Sequence, residues 1–166
     1  MDYIWHYQSP LGAMTMASDG LALVGLWFDD RFFFADTLAP CHEKNCLPVF
    51  GECRRWLDTY FRGKAPGFIP TMNLRTTPFR KGVLDILLSI PYGQTMTYGE
   101  VAARMARQMQ IPRMSAQAVG GALKHNPIAL IVPCHRVIGA NGSLTGYAGG
   151  LDRKRALLEL EALQTV

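Results

Sequence analysis

Asn126-Pro127-Ile128-Ala129-Leu130-Ile131-Val132-Pro133-Cys134-His135-Arg136-Val137 contains an apolar run, Ile128 to Val132, that stops at a proline and then presents a thiol beside an imidazole. The run predicts a buried strand. Pro133 has no N–H to give a ladder, so it predicts the strand's end and leaves Cys134 at a turn. A cysteine is a good nucleophile only as thiolate, and a neighbouring imidazole can accept or share its proton directly or through a water. Taken alone, such a pair is more often packing than chemistry, because free cysteines are among the most buried residues. The rest of the chain shifts that balance.

At 166 residues and 49% apolar content, the chain suits one globular unit, or two small ones sharing a core. No apolar run approaches the length of a membrane span, and the N-terminus lacks the basic-then-apolar pattern of a signal peptide. These features predict a soluble, intracellular protein. Cys41, Cys46, Cys53 and Cys134 are read as reduced thiols, since neither their spacing nor a leader argues for an exported disulfide framework. Charge is unevenly distributed: residues 1–71 carry a net −2 and residues 72–166 a net +6. The cationic part holds Cys134 and suggests an anionic partner, nucleic acid being the commonest, although a solvated basic face fits the same count.

Tyr3 to Tyr7, Gly12 to Ala17 and Leu21 to Phe28 read as strands, with Asp19-Gly20 making a hairpin turn between the second and third. Val49, Phe50, Cys53, Trp56, Leu57, Tyr60 and Phe61 fall at helical spacing, and Gly63 is a stop signal, so a helix packs on that small sheet. Gly63 to Pro70 reads as a linker, dividing residues 1–71 from residues 72–166.

Beyond it the pattern is helical. Pro78 opens a segment with Phe79, Val83, Ile86, Leu87 and Ile90 on one face, closed by Pro91-Tyr92-Gly93. Thr97-Tyr98-Gly99-Glu100 has the spacing of a capping box and opens a helix with Tyr98, Val101, Ala102 and Met105 inward. A third helix fits Ser115 to His125, rich in small residues (Ala116, Ala118, Gly120, Gly121, Ala122). The last two form a possible helix-turn-helix, a weak signal by itself because many helical hairpins touch no nucleic acid. Thr145-Gly146-Tyr147-Ala148-Gly149-Gly150 sets three glycines around a tyrosine, a pattern that fits backbone approaching a flat ligand or simple flexibility. A last helix from about Asp152 to Leu163 is expected to turn Ala156, Leu160 and Leu163 inward and to bring Glu161 back to His135, orienting the imidazole.

Pro133-Cys134-His135-Arg136-Val137, the preceding Asn126-Pro127, the following Gly146-Tyr147-Ala148-Gly149-Gly150 and the Lys154-x-x-Leu157-Leu158-x-x-Glu161 tail together resemble the O6-alkylguanine-DNA alkyltransferases. The similarity is specific from Thr77-Pro78-Phe79 to Glu161 and looser through the N-terminal sheet. It implies an α/β (α+β) fold, with a ribonuclease-H-like N-terminal subdomain and a winged-helix-like C-terminal domain containing a helix-turn-helix.

The resemblance also implies a mechanism. Cys134 accepts the alkyl group from O6 of guanine in one irreversible turnover, with no cofactor and no metal. His135 polarises the thiol through a water, Glu161 holds the imidazole, Asn126 fixes the turn, and Tyr98 donates to N3 of the leaving guanine. Backbone near Cys134, Leu144 and Ala148 reads the base edge, and Tyr147 walls the pocket. The substrate is alkylated double-stranded DNA, gripped through the minor groove with the damaged base flipped out, and the protein is a cytoplasmic monomer. DNA contacts fall to Gln117, Ala118, Gly121 and Lys124, with Arg113 and Arg136.

Two features depart from the family pattern. Gln117 stands where these proteins carry the arginine that fills the gap left by the flipped base. The chain between Tyr98 and Gln117 is also several residues longer and contains Arg104, Arg107 and Arg113. Either Gln117 or Arg113 is then the gap-filling group, and a preference for single strands or free bases is a third option.

Other readings fit less well. A papain-like hydrolase places its histidine far from its cysteine in the chain. A non-transferring lesion sensor of the same scaffold lacks the acceptor cysteine, whereas Cys134, His135 and Glu161 occur together here. Cys41, His42, Cys46 and Cys53 match no compact zinc site, and Phe32-Phe33-Phe34 reads as packing.

Overall fold

The computed structural model describes residues 1–31 and 33–163. Strands β1 (Asp2–Ser9), β2 (Gly12–Ser18) and β3 (Leu23–Phe28) form an antiparallel meander, and a short β4 (His42–Lys44) adds in parallel to β1, giving the order β3-β2-β1-β4. The expected turn between β2 and β3 is present. Gly20 takes a φ of +106°, and Asp19 Oδ1 accepts from the amides of Leu21 and Ala22 at 2.9 Å each.

Helix α1 (Pro48–Phe61) lays Val49, Phe50, Cys53, Trp56, Leu57 and Tyr60 against this sheet. Each large apolar side chain so buried contributes about 1.5–3 kcal/mol. Gly63, at φ +83°, ends the segment by donating to the Tyr60 carbonyl.

The second part contains α2 (Pro78–Leu88), α3 (Tyr98–Met109), α4 (Ala116–Lys124) and α5 (Leu151–Ala162). A parallel pair, β5 (Met96–Thr97) and β6 (Val137–Ile138), joins the start of α3 to the residues just after Cys134. Side chains at the predicted starts cap three helices: Thr77, Thr97 and Ser115 accept from the amides of Arg80, Glu100 and Ala118. α3 runs on to Met109 and closes through Gln110 in the left-handed region, with the Ile111 amide returning to the Ala106 carbonyl.

The outer edge of β3 joins the two parts. Leu23 bridges to Met72, two residues past the predicted linker, and Leu26 bridges to Ile128. One hydrophobic core runs through both, from Met14, Phe28 and Trp56 to Leu84, Val101, Leu123 and Val137.

The segment 128–132 corrects one expectation, because it is not a strand. It meets the sheet in a single bridge, the Ala129 amide donating to the Leu26 carbonyl at 2.9 Å and the Leu26 amide to the Pro127 carbonyl at 2.8 Å. The chain then folds on itself, with Leu130 at φ +68° and the Ile131 and Cys134 amides donating two residues back to Ala129 and Val132. Asn126 makes this tolerable in the interior: its Oδ1 accepts from the Ile128 amide at 3.0 Å and its Nδ2 donates to the Val132 carbonyl at 3.0 Å. An apolar run signals burial, and here the side chain of Asn126 does the work of a ladder.

Candidate active site and nucleic-acid interface

Cys134 opens a single 3-10 turn, Cys134–Arg136, at the end of this folded segment. It is 5% exposed. The Asn126 amide donates to its sulfur at 3.3 Å, so the residue that folds the segment also aims the thiol. Burial pushes the thiol pKa up, opposed by the Asn126 bond and by the charges of Arg31 and Lys154. The resting group is a thiol, and it needs a base to become a nucleophile.

The next residue, His135, is held by a carboxylate. Nε2 lies 2.5 Å from Glu161 Oε2, while Nδ1 is buried with no hydrogen-bond partner. Burial disfavours the imidazolium and lowers the His135 pKa against the pull of Glu161. This pattern assigns the neutral tautomer with the proton on Nε2, leaving the Nδ1 lone pair to receive a proton.

Glu161 collects four donors. Tyr60 Oη at 2.6 Å and His135 share Oε2; Arg136 Nε at 2.7 Å and the Gly93 amide at 3.1 Å share Oε1. Burial alone raises a carboxyl pKa, but the His135 and Arg136 bonds outweigh it and bring Glu161 to about 2. It therefore stays ionised at neutral pH.

Two expectations are corrected here. Arg136 does not face a DNA backbone: it is 8% exposed, pairs with Glu161 and donates to the Ile90 carbonyl at 2.8 Å. The inward face of α5 consists of Lys154, Leu157 and Glu161, while Leu163 is 73% exposed. A lysine on the buried line hid the correct helical register.

Lys154 is enclosed because its ammonium has carbonyl partners. Nζ donates to Val137 at 2.5 Å and to Thr145 at 2.9 Å. The Tyr98 hydroxyl donates to the same Thr145 carbonyl at 2.7 Å. Tyr98 can therefore turn its hydroxyl to another acceptor while Lys154 still satisfies Thr145. The loop that follows supplies the half-buried Leu144, Tyr147 and Ala148. The Tyr147 hydroxyl is enclosed without a partner, its ring 6.5 Å from that of His135.

A cleft of about 730 Å³ opens beside this loop, lined by Tyr98, Gln117, Gly120, Gly121, Lys124 and Gly146 among others. One face of α4, from Ala116 to Lys124, lines it together with Tyr98. A Cβ built on Gly120 or Gly121 meets nothing within 4 Å, so the protein's own packing does not demand these glycines. Gln117 and Lys124 are exposed, and Ala118 is half-buried. Arg113 lines a separate hollow with Gly99, Arg107 and Ile111. Of the two candidate gap-filling groups, Gln117 is the one that lines the cleft with Tyr98.

Sequence reasoning missed Tyr60, Lys154 and Arg31. Tyr60 was legible only as an inward helix position, and its hydroxyl was the unread signal, since a buried hydroxyl needs a partner. Cys41 and Cys46 are exposed and Cys53 is buried in α1, and among the described residues no three His, Cys, Asp or Glu side chains form a metal-holding group. Phe32 lies outside the described residues. Phe33 and Phe34 are 44% and 42% exposed and pack locally: the Phe33 ring lies 4.1 Å from that of His125, and Phe34 meets Trp27 edge-on. Among the described residues, no helix is long and apolar enough to cross a membrane.

The site thus holds a buried thiol next in sequence to an imidazole bonded to an ionised carboxylate, and a separate wide cleft runs between Tyr98 and the glycine face of α4. Residues 3–68 match the ribonuclease-like domain and residues 78–163 the DNA binding domain of 6-O-methylguanine DNA methyltransferase. The chain is 45% identical over 159 residues to a methylated-DNA–protein-cysteine methyltransferase of Mycobacterium bovis, covering 94% of this chain and 92% of that protein. A namesake from Methanosarcina acetivorans is 43% identical, covering 93% and 95%. The crystal structure of Mycobacterium tuberculosis OGT in complex with DNA superposes with a TM-score of 0.84 at 42% identity, covering 98% of this chain and 94% of that one. The chain belongs to the 6-O-methylguanine DNA methyltransferase family.

Proposed function

We propose that the protein repairs DNA by direct reversal, moving a methyl group from O6 of guanine to the sulfur of Cys134 in a single, irreversible turnover. The observation that carries the reading is the chain Cys134, His135, Glu161, with the thiol aimed by Asn126 and the imidazole bonded to the carboxylate at 2.5 Å. The thiol proton passes through a water to Nδ1 of His135. The sulfur attacks the methyl carbon, the S–C bond forms as the C–O6 bond breaks, and the electron pair stays on guanine. Tyr98 donates to N3 of the departing base, stabilising the charge that develops there. The base takes up a proton and leaves as guanine. A thioether is no substrate for the reverse step, so the protein is consumed.

A thiol buried to this degree meets only a group that enters the protein, which supports flipping of the damaged base at a cost of roughly a few kcal/mol. The bare Gly120 and Gly121 face supports close approach of a minor groove, with Lys124 at a phosphate and Gln117 in the gap left by the base. Leu144, Tyr147 and Ala148 frame the base. Residues 72–166 bear DNA and acceptor, residues 1–71 support them, and the protein works as a cytoplasmic monomer.

The test is a titration of duplex DNA containing one O6-methylguanine. Repair should saturate at one lesion per protein, with intact guanine recovered in the strand. Tight binding without loss of O6-methylguanine would point to a lesion sensor.

A further inference from the structure

The loop after β3 crosses to the other half of the molecule and grips the end of α4. Arg31 donates through one guanidinium nitrogen to the Asn126 carbonyl at 3.0 Å and through another to the Lys124 carbonyl at 2.9 Å. Two residues on, Phe33 takes a φ of +58° and lays its ring on His125, while Asp36 Oδ2 lies 3.4 Å from His125 Nδ1. Lys124, His125 and Asn126 are thus held in succession by one loop.

The end of a helix leaves carbonyls without partners and carries partial negative charge, so a buried guanidinium there satisfies both needs. Arg31 is 8% exposed, and the carbonyl it holds belongs to the residue whose amide bonds the Cys134 sulfur. Asn126 links the guanidinium to the sulfur, through its carbonyl on one side and its side-chain amide on the other. Burial lowers the Arg31 pKa from its ordinary value, yet the group remains a cation at neutral pH. The other groups that face Cys134 are Lys154 from α5, Tyr98 from α3 and Tyr147 from the glycine loop, with the His135, Glu161, Arg136 and Tyr60 network beside them.

We propose that Arg31 is a positioning residue for the alkyl acceptor: it clamps the Lys124 and Asn126 carbonyls, keeps the Asn126 amide aimed at Cys134, and ties the seat of α4 to that of the thiol. The inference rests on Cys134 being the acceptor. Its charge also opposes the rise in thiol pKa that burial causes. The loop that carries it lies in the half of the chain remote from the cysteine in sequence, so the N-terminal part contributes to reactivity as well as to stability.

The experiment uses the full chain and two variants, Arg31→Met and Arg31→Lys, with circular dichroism as the check on folding. Alkylation of Cys134 by iodoacetamide, read as peptide mass across pH, reports the thiol without DNA. Methyl transfer from an O6-methylguanine duplex reports the reaction. Arg31→Met should move the alkylation midpoint up by about half a pH unit or more and slow transfer about tenfold or more. Arg31→Lys should keep the midpoint near that of the unaltered chain, because the charge remains, and still slow transfer, because an ammonium does not span two carbonyls as the planar guanidinium does. A folded Arg31→Met with unchanged midpoint and rate overturns the inference. If Arg31→Met does not fold, an unchanged transfer rate in Arg31→Lys overturns it instead. Absence of transfer in the unaltered chain would overturn the acceptor reading, a separate result.

Discussion

The carboxylate of Glu161 and the imidazole of His135 meet at 2.5 Å with neither residue open to solvent, their side chains being 1% and 0% exposed. The same carboxylate holds Arg136 and Tyr60, so Glu161→Gln removes one charge from a buried set and strands another. The expected cost is about 3–5 kcal/mol in urea denaturation. Methyl transfer should slow about a hundredfold or more, because His135 loses the carboxylate that orients it and supports its charge as the base.

Glu161 has a folded pKa of about 2 against an ordinary 4.5. A carboxyl depressed on folding contributes stability above its unfolded value and loses it as pH falls through the folded one. The stability difference between the unaltered chain and Glu161→Gln should therefore be full above about pH 5 and shrink toward pH 2. Urea titrations at a series of pH values measure it. A difference that stays constant down to pH 2 would show that the carboxylate is not held ionised.

Cys134 has its pKa raised by burial and His135 has its lowered. A thiol and imidazole that are both neutral at rest move the proton internally, so the transfer rate should be flat through neutral pH. It should fall only below the ordinary imidazole range, where His135 charges. A stopped-flow pH profile of methyl transfer checks this. A rate that climbs steadily from pH 6 to 8 would mean that free thiolate is the reacting species.

Gly120 and Gly121 lie within α4 and their absent side chains leave open space. Gly120→Ala should therefore stabilise the fold by about 0.8–1 kcal/mol, the helix-propensity gain, with no packing penalty. On DNA the added methyl obstructs the groove, and affinity should drop about tenfold, equivalent to about 1.4 kcal/mol. Melting temperature and fluorescence anisotropy should move in opposite senses. Loss of both would place the glycines in the protein's own packing.

Gln117 shares its cleft with Tyr98, whereas Arg113 does not line it. Gln117→Ala should slow transfer from duplex by about tenfold or more and leave reaction with free O6-benzylguanine unchanged. Arg113→Ala should change neither. The reverse pattern would assign the gap to Arg113.

Most of the fold was legible because local signals and tertiary structure agree. Thr97 caps where its spacing predicts, Pro78 opens α2, Ser115 stands at the start of α4, Asp19-Gly20 turns, and Gly63 stops α1. The misreadings share a physical cause. Ile128 to Val132 reads as a strand because burial and strand pairing look alike in an apolar run, and only the bonds made by Asn126 tell them apart. Lys154 obscured the inner line of α5, since a lysine goes inside only where carbonyls wait for it, and those of Val137 and Thr145 are brought there by folding. Arg31 and Tyr60 reach the site from the other half of the chain, and no local pattern announces a contact across 95 or 101 residues. Cys134, His135, Asn126 and Glu161 were readable by type; the part of Arg136 inside their network was not.

The central claim is tested most directly by the mass of the Cys134 peptide after incubation with duplex DNA bearing one O6-methylguanine. One added methyl on that peptide, and none anywhere in Cys134→Ser, is the expected result. An unchanged Cys134 peptide alongside repaired DNA, or a methyl found on Cys41, Cys46 or Cys53, would contradict it.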